Sequence, residues 1–153
     1  MDTEVQEFLE LLDGVKSNVR DFVNAIGDDG VTWSSGIPDT NSVAVIITHM
    51  FGSEAEAIQE FVGGGAVNRD RDSEFARPRT TVEELVDLID RVSARTREVV
   101  SKETRETLGR LVRTREPGQM KTARGTLIQA LTHQAEHVGH MQLTDQLRLA
   151  QRA

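Results

Sequence analysis

The 153-residue chain has no cysteine and no tyrosine, one tryptophan and three prolines. Without cysteine there is no disulfide, no thiolate metal ligand and no sulfur nucleophile carried by the protein, so any thiol chemistry must use a thiol supplied from outside. No apolar run approaches the ~18 residues that a membrane span requires, and the opening MDTEVQEFLE is acidic where a signal peptide is basic and then apolar. A cytoplasmic location without a membrane partner is expected. Positive charge is also scarce: 18 Lys and Arg stand against 25 Asp and Glu, for a net charge of −7. They form no basic cluster of the kind that binds phosphate backbones, which argues against nucleic acid as a partner. The length and the 37% hydrophobic content suit a single domain over 1–153 with one core.

What is present is helical periodicity. Val5, Phe8, Leu9, Leu12, Val15, Val19, Phe22, Val23 and Ile26 recur at three- and four-residue steps. They predict a long amphipathic helix, with Thr3 and Gln6 as a capping box and Gly27 as its stop. The Gly-, Asp- and Ser-rich GDDGVTWSSGIPDT then reads as a loop that Trp33 docks onto the helices. A second helix is predicted from about Asn41 to Val62, ended by GGG, and a charged connection closes on Pro78. Thr80 with Glu83, or Thr81 with Glu84, caps a third helix that runs to about Ser101. Residues 102–122 read as an irregular link with at most one helical turn, and a last helix covers about Lys121 to Leu149. Four long helices and no convincing alternating strand predict an all-α fold, an antiparallel four-helix bundle.

Three of the four histidines fall in LTHQAEHVGHM, residues 131–141. At ~100° per residue, His133, His137 and His140 share a stripe ~60° wide. It lies beside the apolar arc of Leu127, Ala130, Leu131, Val138 and Met141. Three charged imidazoles this close would repel and three neutral ones need partners, whereas a divalent ion accepts two or three neutral ring nitrogens at about 2.0–2.1 Å. The fourth histidine, His49, flanks the apolar arc of the second helix. Near it, Ser42, Gly52 and Ser53 leave room for a ligand or a neighbouring helix. A bundle can bring His49 to the last helix, so that His49, His133 and His137 make a three-histidine site. Two plainer readings fit the same residues: histidines satisfied at the edge of a core, and a subunit contact that titrates near about pH 6.

NSVAVIITHMFGSE at 41–54 resembles the second-helix segment, ending in a ligand histidine, of the DinB-like superfamily. HQAEHVGH at 133–140 resembles its last-helix H-x-x-x-H-x-G-(Q/H) pattern, and RDRDSEF, ending at Phe75, is similar to a charged loop of some members. The resemblance spans nearly the whole chain. That superfamily comprises metal-binding four-helix bundles and includes thiol S-transferases and mycothiol-dependent isomerase relatives. The resemblance implies metal ligands at His49, His133 and His137, an up-down-down-up order of helices, and a homodimer. His140 stands where many members have glutamine, which leaves it either a partner behind the ligands or a ligand in place of His133.

The resemblance further implies an ion that activates an external low-molecular-weight thiol for transfer to a small-molecule electrophile. Zinc suits such a site best, with nickel, manganese or iron as alternatives, because imidazole discriminates weakly among them. Hydrolysis of a small substrate at the same site, and a non-catalytic metal-binding or stress protein, are the rival functions. Glu54, Glu56 and Glu136 are the carboxylates considered for proton transfer. Glu54 is the catalytic candidate, its plainer reading being a core-edge carboxylate paired with an arginine or a neighbouring helix. Arg71 and Glu74 either line the mouth of the pocket or form a solvated loop ion pair.

Overall fold

The computed structural model describes residues 2–76 and 80–152, so the expected closure at Pro78 lies outside the described residues. The chain is mostly helical. It comprises α1 (Thr3–Thr32), α2 (Val43–Glu54), a short α3 (Arg71–Phe75), α4 (Val82–Val100) and α5 (Ala123–Arg152). A π-helical segment, Ala55–Val62, continues α2 without a break and carries Ile58 and Val62 into the core. Among the described residues, no helix is long and apolar enough to cross a membrane.

Each long helix preceded by a loop starts where a side chain takes up a free amide of its first turn. Asp2 caps α1 in place of the expected Thr3–Gln6 box. Its Oδ1 accepts from Glu4 N at 3.0 Å and its Oδ2 from Arg105 N at 2.9 Å, so one carboxylate serves two backbone segments. Ser42 caps α2, and of the two boxes open to α4 it is Thr81 with Glu84 that forms. Gly27 does not end α1. At φ 69° and ψ 178° it kinks the helix, which resumes to Thr32. The extra turn is held from outside: Val31 is buried in the core, and Asp28 Oδ1 accepts from Val82 N at 2.7 Å. The loop before α2 therefore begins at Trp33.

The link between α4 and α5 is more regular than expected. A 3₁₀ turn at Thr107–Gly109 leads into an antiparallel hairpin, β1 (Leu111–Arg113) and β2 (Met120–Thr122), with Val112 opposite Lys121. Strands of three residues are too short to show an alternating pattern, and Val112 alone among the six is buried.

The long helices α1 and α2 each pack against both α4 and α5, and α3 lies on α2. Their apolar faces form two clusters. One gathers Val23, Ile47, Phe51, Leu85, Ile89 and Met141; the other gathers Phe8, Leu12, Ile58, Val99, Leu108 and Leu127. Between the clusters, each long helix contributes one polar residue: Lys16 from α1, Glu54 from α2, Thr96 from α4 and Gln134 from α5, none more than 5% exposed. Glu54 Oε1 accepts from Lys16 Nζ at 2.9 Å and from Thr96 Oγ1 at 2.6 Å, while Oε2 accepts from Gln134 Nε2. The last of these bonds ties α2 directly to α5, the two helices that carry all four histidines.

Candidate metal centre

His49 projects from α2, and His133 and His137 from successive turns of α5. One ring nitrogen from each lies within 4.8 Å of the others. His133 Nε2 and His137 Nε2 are 3.0 Å apart, and the His49 ring centroid is 5.3 and 5.2 Å from those of His133 and His137. Tetrahedral ligands at about 2.0–2.1 Å from one ion stand roughly 3.3 Å from each other, so the three rings fit a common ion with small side-chain adjustments. His140 is outside this group. It is exposed, with Nδ1 3.3 Å from His137 Nδ1, on the edge of that ring turned away from His133. Its place is thus behind His137 and not in the position of His133.

Burial holds all three clustered imidazoles below their ordinary value. For His49 the loss of solvent outweighs a hydrogen bond to Glu74 that favours the charged form. For His133 burial is reinforced by His49, and His137, crowded by His133, His49 and His140, is pushed down to about 4. The cluster is therefore neutral near neutral pH, with ring lone pairs free to bind an ion.

The fixed end of the cluster is Glu74, a residue whose environment differs from both expectations. Asp70 caps the single-turn α3, accepting from Ser73 N at 3.2 Å, and this turn swings Glu74 onto α2, where only 6% of it is exposed. Glu74 Oε2 lies 3.0 Å from His49 Nδ1. A carboxylate only accepts, so in this contact Nδ1 donates and Nε2 is the unprotonated nitrogen; Arg69 Nη2, 3.2 Å from the same Nδ1, donates instead to Glu74 Oε2 and to the His49 carbonyl oxygen. Arg69 grips the same carboxylate in a fork, Nε to Oε1 at 2.6 Å and Nη2 to Oε2 at 2.7 Å, and its Nη1 donates to Glu56 Oε2 at 3.2 Å. Gly52 allows the approach: a Cβ there would lie 2.9 Å from Glu74 Cδ and 3.3 Å from Arg69 Nε. Room for a ligand or a neighbouring helix was the expectation at Gly52, and Glu74 of α3 takes it.

The solvated Arg71–Glu74 pair does not form, because Glu74 is buried against Arg69. Arg71 instead lies over the Phe75 ring, 5.0 Å from its centroid, and Phe75 in turn packs on His49 at 4.9 Å. Arg69 went unmarked in the sequence, since a run of alternating charges has no helical phase to assign it a face. The one available signal was the capping pattern Asp70-x-x-Ser73, which marks a helical turn inside the charged stretch.

Two cavities meet the histidines from different sides. One, of about 430 Å³, lies against His49 and His133, with Ser53, Glu56, Arg71, Arg115 and Lys121 on its walls. Burial raises the pKa of Glu56 on this wall, with Arg69 opposing. The other, of about 340 Å³, lies against His137 and His140, with the half-buried Trp33 on its wall. Glu54 lines neither cavity; it is an interior carboxylate whose cationic partner is Lys16 and not an arginine. Glu136 is exposed and also lines neither.

These features define a class: a mostly helical protein in which two helices bring three neutral histidines together beside a charged cavity. The chain belongs to the DUF1572 family, described as "Protein of unknown function (DUF1572)", whose profile matches residues 3–150. A solved structure, "Crystal structure of the conserved protein of locus from Enterococcus faecalis", superposes with a TM-score of 0.75. The match covers 98% of this chain and 99% of that one at 16% identity, a likeness that speaks for the fold alone. No curated protein matches the chain.

Proposed function

We propose that the chain is a DinB-like four-helix bundle in up-down-down-up order that holds a divalent ion, zinc above nickel, manganese or iron, at His49, His133 and His137. We infer that it uses this centre to transfer an external low-molecular-weight thiol to a small electrophile. The observation that carries the reading is the convergence of three neutral imidazoles with Glu74 orienting one of them. Three neutral protein ligands leave an ion its full charge and an open coordination position. Such an ion acidifies a thiol or water placed at that position, making it nucleophilic near neutral pH.

The chain's own residues supply the rest. With no cysteine in the protein the thiol comes from solution, through the charged cavity that reaches His49 and His133. Arg71 and Lys121 on its walls have no acidic partner among the described residues and favour an anionic nucleophile. Glu56, a carboxylate on the same wall made more basic by burial, takes the thiol proton. Phe75, packed on the His49 ring, covers one face of it.

The test is conjugation of small thiols to 1-chloro-2,4-dinitrobenzene by zinc-reconstituted protein. The S–C bond forms as the C–Cl bond breaks, chloride leaves, and the thiol proton passes to Glu56. The rate is expected to exceed the uncatalysed background, to vanish with chelator and to return with zinc. Turnover of esters or amides without added thiol would favour hydrolysis instead, and chelator-insensitive rates at background would leave a non-catalytic metal-binding role.

Gly52→Ala tests the role of Glu74. Alanine adds about 1 kcal/mol of helix propensity, yet its Cβ displaces the Glu74 carboxylate. Losing such a ligand-orienting partner costs about 10–100-fold in metal affinity. A zinc titration of the folded variant is expected to show that loss beside an unchanged helical circular dichroism spectrum; unchanged affinity would remove Glu74 from the centre.

A further inference from the structure

The cavity beneath Trp33 differs in character from the one that serves His49 and His133. Its walls are Trp33, Ile46, Leu143 and Leu147, its floor is the His137–His140 pair, and Asp39 is the one charged residue lining it. Three observations mark it as a built site. First, the loop that roofs it is internally braced: Ser35 and Thr40 hydroxyls lie 2.7 Å apart, Ile37 N donates to Ser35 Oγ at 3.0 Å, and Thr40 Oγ1 donates to Ile37 O at 2.7 Å. Gly36 and Asp39 take positive φ of 72° and 61° to close it, and a non-glycine residue in that region is uncommon. Second, Leu143 and Leu147, one turn apart on α5, stay 55% and 38% exposed and both line the cavity. Third, the floor is chemically continuous with the histidine cluster, since one edge of the His137 ring meets His133 and the other meets His140.

We propose that this cavity is a second small-molecule site, for a neutral aromatic compound whose polar end lies against His140. The absence of basic residues from its lining disfavours anions, and apolar walls with a few convergent polar groups are the usual composition of a ligand pocket. At about 340 Å³ it takes one substituted ring, too little for a peptide. As a binding site it does not depend on the function proposed above.

Trp33 is the only tryptophan in the chain, so its fluorescence reports on this cavity alone. Titration of the full chain with 1,3-dinitrobenzene, an unreactive aromatic quencher, is expected to give saturable quenching. Leu143→Glu and Leu147→Glu, both at exposed positions, are expected to weaken it at least 10-fold with the circular dichroism spectrum unchanged. Quenching that rises linearly without saturation, or that neither glutamate variant weakens, would overturn the proposal. So would a drop from dimer to monomer in sedimentation of Leu143→Glu without saturable quenching of the parent, which would make this face a contact between copies of the chain. Failure here with zinc-dependent conjugation intact counts against the second site only, and saturable quenching without metal binding counts against the proposed function only.

Discussion

Alanine at His137 is expected to leave the protein unable to retain zinc. After reconstitution and desalting, metal analysis should find about one ion per parent chain and close to none in the variant, because only two of the three mutually adjacent imidazoles are left to hold it. The loss in affinity should exceed the roughly 10–100-fold that removal of a ligand-orienting partner such as Glu74 costs. The stability readout follows by linkage. An ion that binds only the folded chain adds about 4 kcal/mol at a thousand times its dissociation constant, so chelator should lower the unfolding midpoint of the parent and not that of His137→Ala. Equal metal content in both proteins would dismiss the centre.

The second large effect lies in the interior. Glu54→Ala is expected to destabilise the fold by about 3–5 kcal/mol, the penalty for leaving one member of a buried ion pair uncompensated. Lys16 is 5% exposed and has no other acid within reach among the described residues, and Gln134 Nε2 and Thr96 Oγ1 lose their acceptor in the same step. The check is the urea midpoint, which should fall with little change in slope. The double substitution Lys16→Met with Glu54→Gln should recover most of the loss. It removes the charge from both partners, keeps an acceptor for Thr96, and offers an amide donor to Gln134 Oε1, which has no partner among the described residues. A small effect of Glu54→Ala alone would mean that the layer is solvated.

This interior layer shows how position can single out a residue while its partners stay hidden. Glu54 stands within an apolar arc, which marks it as unusual, but phase alone cannot say which neighbour meets it. Lys16, thirty-eight positions earlier by the numbering of the two residues, looks in α1 like any lysine among apolar residues. Its pairing arises only when α1 and α2 are packed. The same holds for Glu74 and Arg69. Their contacts with His49 span twenty-five and twenty positions and depend on a five-residue helix in a stretch without periodicity. The hairpin escaped for a different reason, since three-residue strands carry too few positions to display a period of two.

What the amino-acid sequence by itself determined is whatever depends on short separations. The 3.6-residue period located the four long helices, a Thr-x-x-Glu pattern at Thr80 or Thr81 marked the start of one of them, and spacings of four and three set His133, His137 and His140 on one stripe. Absence of cysteine removed protein-borne thiol chemistry at once. The tertiary structure decided which stripe faces which: it brought His49 to His133 and His137, sent His140 to the far edge of the His137 ring, buried Glu54 on Lys16, and placed Glu74 behind His49. Local periodicity fixes the angle of a side chain about its own helix axis, but the partner it meets depends on the packing of helices far apart in the chain, and that is set by the whole core.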